Sequence, residues 1–225
     1  MKYSAQNTKK KPGRPAPDDA LTPDAVAEAA LRLIDKVGEE NFSMRHLGQE
    51  LRVQAMALYN HFEDKDAILN AVAGLLLSKI KVPQGNGSWQ SRVRDVAFNL
   101  RKMALQHPNL FRLAMTRPTH PRSALPLTEA FLSALADAGL TADEQATTYH
   151  ACFLYTRGFC LWEIEELPHS RELQSRELAD IADRYPRAAA TRRLIVEPDP
   201  QQQFEAGLNM ILAGVSATRP RPNKK

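Results

Sequence analysis

The stretch from Ser43 to Lys65, SMRHLGQELRVQAMALYNHFEDK, concentrates side chains able to do chemistry: Arg45, Gln54, Tyr59, His61 and Lys65. They offer guanidinium, amide, phenol, imidazole and ammonium groups, all suited to hydrogen bonding. The constellations that catalyse reactions are missing: there is no HExxH, GxSxG, Gly-rich phosphate loop or CxxC. Cys152 and Cys160 stand eight apart with neither zinc-ligand company nor an evident activating base, and read as free thiols. The chemistry on offer is recognition, and no enzyme activity is expected.

Those side chains need a scaffold, and the flanking pattern supplies one. Thr22-Pro23 reads as an N-cap followed by Pro at the first helical position. Val26, Ala29, Ala30, Leu33, Ile34 and Val37 then mark one helical stripe, closed by Gly38. Ser43 can cap a second helix with Leu47 and Leu51 inward, and a short third segment runs roughly from Gln54 to Asn60. Asp64 caps a fourth helix bearing Ile68, Leu69, Val72, Leu75 and Leu76. Two short helices joined by about three residues and packed on a longer one form a helix-turn-helix. Such a unit presents the exposed face of its second short helix to the DNA major groove. Leu47, Leu51, Val53 and Leu58 would hold the two helices at their angle, leaving Gln54, Ala55, Met56, Tyr59 and His61 outward or at the helix end. Lys65 opens the next helix, where a phosphate could also meet backbone N–H groups. The bland alternatives are a half-buried aromatic for Tyr59, a helix cap for His61, core packing for Met56 and a solvated surface role for His46.

Pro83-Gln84-Gly85-Asn86-Gly87-Ser88 is the clearest internal break. Beyond it, helical stripes recur at Val93–Ala104, around Asn109–Met115 and at Leu127–Leu135. Thr141-Ala142-Asp143-Glu144 has capping-box spacing and opens a long helix reaching about Leu167. Residues 169–199 are charged and less regular, with a helix conceivable over Ser170–Arg184, and Asp199-Pro200 starts a last helix. No strand alternation stands out. The expected fold is all-α: an N-terminal three-helix helix-turn-helix domain over 21–82 and a larger helical bundle over 83–217.

The formal charge of +4 over 225 residues is unevenly distributed. Residues 1–17 carry +5 and residues 216–225 carry +4, so the body between them sums to −5. Residues 21–82 hold seven basic and nine acidic side chains, too few positive charges for sequence-independent attraction to DNA. A disordered basic arm over 1–20 can supply it through Lys9-Lys10-Lys11-Pro12-Gly13-Arg14-Pro15, with Lys10, Lys11 and Arg14 suited to phosphates and a narrow minor groove. Residues 218–225 form a second basic tail. No run of 18 apolar residues is present, so no membrane span is expected, and a cytoplasmic setting with reduced thiols is.

With these residues in place, the chain resembles the TetR family of bacterial transcription regulators. The resemblance is carried by VGEENFSMRHLGQEL followed by ALYNHFEDKDAIL, above all by Leu58-Tyr59-x-His61-Phe62-x-x-Lys65. The closing Phe204-Glu205-x-Gly207-Leu208-x-x-Ile211-Leu212 is similar to the final helix of the tetracycline-repressor branch. The resemblance implies that Arg45 reaches a base or phosphate and that Gln54, Ala55, Met56 and Ala57 open the recognition helix. It further implies phosphate contacts for Tyr59 and His61 and a backbone-anchoring role for Lys65. Two departures stand out. Arg52 occupies a turn position usually held by Gly: either Arg takes a left-handed backbone at a cost of roughly 1 kcal/mol, or the turn differs slightly here. Ala55, Met56 and Ala57 cannot make bidentate base contacts, so readout would lean on thymine methyls and shape, with Arg45 the best donor to guanine.

The resemblance also implies an effector site within the bundle, with no cofactor required. His107, Phe111, Met115, Phe131, His150, Phe153, Arg157 and Trp162 are the lining candidates, although apolar residues at helical spacing are more often core than pocket, and His107, His150 and Arg157 fit the surface or an interface equally well. The long helix and the last helix are expected to pair two copies through Leu161, Phe204, Leu208, Ile211, Leu212 and Val215. The expected function is a ligand-responsive regulator, a repressor, that binds a palindromic double-stranded operator as a homodimer and is released by a small molecule. The alternative is a helical ligand- or partner-binding protein whose helix-turn-helix no longer meets DNA.

Overall fold

The computed structural model describes residues 21–82, 87–117, 121–167, 184–196 and 199–217. Ten helices are described: α1 (Pro23–Val37), α2 (Met44–Glu50), α3 (Ala55–Leu58), α4 (Lys65–Ser78) and α5 (Trp89–Gln106), then α6 (Pro108–Thr116), α7 (Pro121–Asp137), α8 (Ala142–Glu165), α9 (Pro186–Val196) and α10 (Pro200–Ala217). Among the described residues there is no strand.

Local chemistry sets most boundaries. Thr22, Ser43 and Asp64 each accept a backbone N–H from three residues on, which satisfies a donor that the first helical turn leaves free. At α8, Thr141 and Glu144 complete a reciprocal capping box. Asp199 accepts from Gln201 and Gln202 to start α10. Two elements differ from expectation. The helix expected around Leu127 begins already at Pro121 and carries Pro126 within it. Helix α9 lies in a segment whose sequence offers no packing face, and it leaves Leu194 and Ile195 exposed. The helix conceived over Ser170–Arg184 falls almost wholly outside the described residues, as do the basic arm and tail.

The apolar side chains gather into two cores. One joins α1, α2, α3 and α4, and α6 belongs to it: Leu110, Phe111, Leu113, Ala114 and Met115 are buried among Ile34, Ile68, Leu69 and Val72. The second fills the space between α5, α7, α8 and α10, with Phe131, Leu135, Phe204, Leu208 and Leu212 at its centre. Helix α8 approaches closely because its inward face is small: Thr148, Cys152, Thr156 and Cys160 repeat every fourth residue and are all buried.

A buried ion pair ties the bundle together. Arg101 of α5 donates to both carboxylate oxygens of Glu163 on α8, at 2.8 and 2.7 Å, and also to Gln201 of α10. Its guanidinium stacks on Phe204, 5.3 Å from the ring centre. The hydrogen bonds to Glu163 hold the Arg101 pKa above its usual value despite the burial.

This packing corrects the expected pairing surface. Phe204, Leu208 and Leu212 are buried within one protomer at 0%, 0% and 1% exposure and have no area left for a partner. Ile211 and Val215 are half-buried and border an open groove of about 470 Å³ between α8 and α10, while Leu161 packs partly against the first core. The outward faces of α8 and α10 instead carry Leu154 and Met210, 57% and 73% exposed, with open space above Gly158 and Gly214.

Candidate nucleic-acid interface and effector cavity

The recognition helix is short because the turn before it is tight. Helix α2 ends at Leu51, and Arg52 takes the left-handed conformation with φ of 55°. Its N–H bonds to the Gln49 carbonyl, while the N–H of Val53 reaches back to Gly48 at 2.8 Å. This pair of bonds forms a Schellman motif, normally built around glycine. Gly48 is needed for a second reason. A Cβ there would sit 2.9 Å from the Val53 carbonyl and 3.2 Å from the Ala55 nitrogen, so only glycine lets α3 start against α2.

The arrangement sorts the expected contact residues. Leu58 points wholly inward, and Ala55 is half-buried against the core. Met56 is 74% exposed, which removes the core role considered for it, and Tyr59 is 47% exposed. Gln54 is the N-cap of α3 but makes no capping hydrogen bond, so its exposed amide keeps its donors and acceptor. Arg45 is exposed on α2 and forms no ion pair among the described residues. Ala57 and His61 are half-buried, and the His61 N–H extends the α3 turn by bonding to Leu58. Lys65 is partly committed: its ammonium donates to the Phe42 carbonyl at 2.8 Å and lies 5.5 Å from the Phe42 ring centre. The backbone site expected to receive a phosphate beside it is engaged, because Asp64 accepts the Ala67 N–H at 2.7 Å.

Polar contacts fasten this unit to the bundle. His107, at the junction of α5 and α6, places Nδ1 2.7 Å from Asp35 of α1. Arg117, at the end of α6, reaches Glu39 after α1 and Asp66 in the first turn of α4. Inside the bundle, a cavity of about 30 Å³ lies between α5, α7 and α8, with Phe131, Phe153 and Tyr149 in its wall. Thr128 and Thr156 supply hydroxyls there, and Thr128 stands 3.5 Å from the Tyr149 hydroxyl. Among the described residues, no cluster of three or more His, Cys, Asp or Glu side chains could hold a metal ion, and no helix is long and apolar enough to cross a membrane.

Residues 26–72 match the profile of bacterial regulatory proteins of the tetR family, and residues 82–219 match the tetracyclin repressor-like C-terminal domain. The chain belongs to the TetR family. It is 30% identical to the class C tetracycline repressor protein of Escherichia coli over 204 residues, 88% of this chain and 92% of that protein. A helix-turn-helix-type transcriptional regulator of Saccharopolyspora erythraea is 30% identical over 203 residues, covering 88% and 86%. The crystal structure of Streptomyces coelicolor ActR in complex with actinorhodin aligns with a TM-score of 0.79 at 27% identity, covering 88% of this chain and 98% of that one. This TetR-family protein is therefore a ligand-responsive transcriptional regulator of repressor type.

Within the TetR bundle, the nominated effector residues divide. Phe131 and Phe153 line the cavity between α5, α7 and α8. Phe111 and Met115 do not, because α6 buries them against α1 and α4. His107 is held by Asp35 at the junction and lies away from the cavity wall. His150 is exposed and touches only the edge of Tyr149 among ring contacts, while Trp162 stacks edge-on to Phe159. Arg157 is half-buried and borders none of the described cavities. Tyr149, Thr128 and Thr156 were missed. A usable signal existed in the hydroxyl residues Thr148 and Thr156 repeating on the same helix face as Cys152.

Proposed function

We propose that two copies of this TetR-family regulator read a palindromic operator through Gln54, Met56 and Arg45, with Tyr59, His61 and Lys65 on the flanking phosphates. The observation that carries this reading is the exposed, uncapped Gln54 amide beside the protruding Met56 at the tip of α3. Gln is chemically able to bond adenine at two positions, and a Met side chain can meet a thymine methyl. Lys10, Lys11 and Arg14 add the sequence-independent attraction that the acidic body lacks.

Pairing through the outward faces of α8 and α10, around Leu154, Gly158, Met210 and Gly214, would set the two recognition helices one DNA turn apart. The effector enters the cavity between α5, α7 and α8 and must open it, because drug-sized ligands need about 300–1,000 Å³. Its aromatic wall with a few hydroxyls, and the likeness to ActR, support a flat aromatic effector bearing oxygen substituents. Helix α6 passes that expansion to α1 and α4, shifting the population away from the DNA-fitting spacing. The regulator acts in the cytoplasm, requires no cofactor and catalyses no reaction.

Selection from a random duplex pool with the full chain tests this reading. It predicts an enriched inverted repeat whose half-site centres lie about 10 base pairs, or a multiple, apart. A pool with no repeat enriched would remove it.

A further inference from the structure

A second cavity, apart from the one inside the bundle, reaches both halves of the molecule. A cleft of about 310 Å³ lies where α1 and α4 meet α5 and α6. Its floor is apolar, formed by Leu31, Leu76, Met103 and Leu110. Its ionisable lining is entirely cationic or neutral, from Lys79, Lys81, Lys102 and His107, and no carboxylate lines it.

Only one of the three lysines is paired with a carboxylate. Lys79 is paired with Glu28 at 2.9 Å, and His107 faces Asp35. Lys81 and Lys102 have no acidic partner among the described residues. The backbone at Lys81 is also fixed, because Asn99 donates to its carbonyl at 2.9 Å. An apolar floor beneath two uncompensated ammonium groups complements a molecule with one anionic end and one apolar body.

We propose that this junction cleft is a second small-molecule site, selective for amphipathic organic acids. The carboxylate sits between Lys81 and Lys102, and the apolar body lies on Met103 and Leu110. It is separate from the bundle cavity, with which it shares no lining residue. A bound acid bridges the two halves of the protomer beside the His107–Asp35 contact and so bears on their relative angle.

Titration calorimetry on the full chain without DNA tests the site independently of operator recognition. The probes are 1-naphthoate and octanoate, with 1-naphthamide as the neutral counterpart, all at constant ionic strength. The acid should bind at least about tenfold more tightly than the amide, and the Lys81→Gln/Lys102→Gln variant should lose about tenfold in affinity. Gln106→Trp should block binding by filling the cleft, while Phe153→Ala in the bundle cavity should leave it unchanged. Equal binding of acid and amide, an unaffected lysine variant, loss on Phe153→Ala, or no saturable binding of either acid would each overturn the proposal.

Discussion

The Arg117 guanidinium lies 2.7 Å from Glu39, and the other arm of the same fork reaches Asp66 at 3.0 Å. One side chain at the end of α6 thereby holds the loop after α1 and the first turn of α4, next to Lys65. In the proposed mechanism, movement of α6 reaches the base of the recognition unit through this fork as well as through the shared core. Arg117→Ala should cost about 1 kcal/mol, as fits a partly exposed pair. Its sharper effect should be faster amide exchange at residues 39–42 and 65–68. Arg112→Ala, which breaks only the pair with Glu165 on α8, should leave those amides unchanged.

The turn before α3 makes two opposite predictions within five residues. Arg52 has φ of 55°, so Arg52→Gly relieves a left-handed conformation and should stabilise the fold by about 1 kcal/mol, less the added freedom of the unfolded chain. For a chain of this size a full 1 kcal/mol raises Tm by about 2–4 °C, so the net rise should fall below that. Gly48→Ala should do the reverse, losing about 1–3 kcal/mol, because its methyl meets a backbone carbonyl that cannot step aside. Thermal unfolding of both variants checks the pair.

How much of this was legible in the sequence divides along one physical line. Features set within a few residues were readable: the caps at Thr22, Ser43, Asp64 and Thr141 and the Gly38 terminus, while the left-handed option at Arg52 came from the family resemblance. Features set by which body covers an apolar face were not. The periodicity of α10 showed that Phe204, Leu208 and Leu212 must be buried, yet it could not say whether α5 and α8 or a second copy buries them. The allegiance of Phe111 and Met115 to α1 and α4, and the Arg101–Glu163 pair 62 residues apart, depend in the same way on tertiary packing.

The proposed pairing face can be separated from the core by two substitutions on one helix. Met210→Asp lies at an exposed position and should abolish dimers in light scattering while keeping the helical circular dichroism. Leu212→Asp places a charge at a 1% exposed site and should unfold the chain. Dimers persisting in folded Met210→Asp would place the interface elsewhere.

Burial pushes the Cys152 and Cys160 thiols up to about 12 from an ordinary 9.0. Both should be inert to a disulfide reagent at pH 8 in the native state and react promptly in denaturant, since the thiolate is the nucleophile. The raised values also make stability fall with alkalinity. Their contribution is complete below pH 9 and is lost as pH rises toward 12, because the unfolded chain releases these protons first. Each thiol accounts for at most about 1.4 kcal/mol per pH unit in that window. Tyr155, also raised by burial, acts in the same direction. Urea unfolding should therefore show the stability gap between wild type and Cys152→Ala/Cys160→Ala shrinking between pH 8 and pH 10.5. A gap independent of pH would contradict the burial argument.

In the proposed reading, DNA sequence is read by the exposed Gln54 amide and Arg45, around the protruding Met56. Repeating the duplex selection with Gln54→Ala and with Arg45→Ala tests it at single-base resolution. Each variant should lose preference at its own symmetric pair of operator positions, at a cost of about 1–3 kcal/mol, while the remaining positions hold. Selected sequences identical to wild type for both variants would show that the recognition surface lies elsewhere.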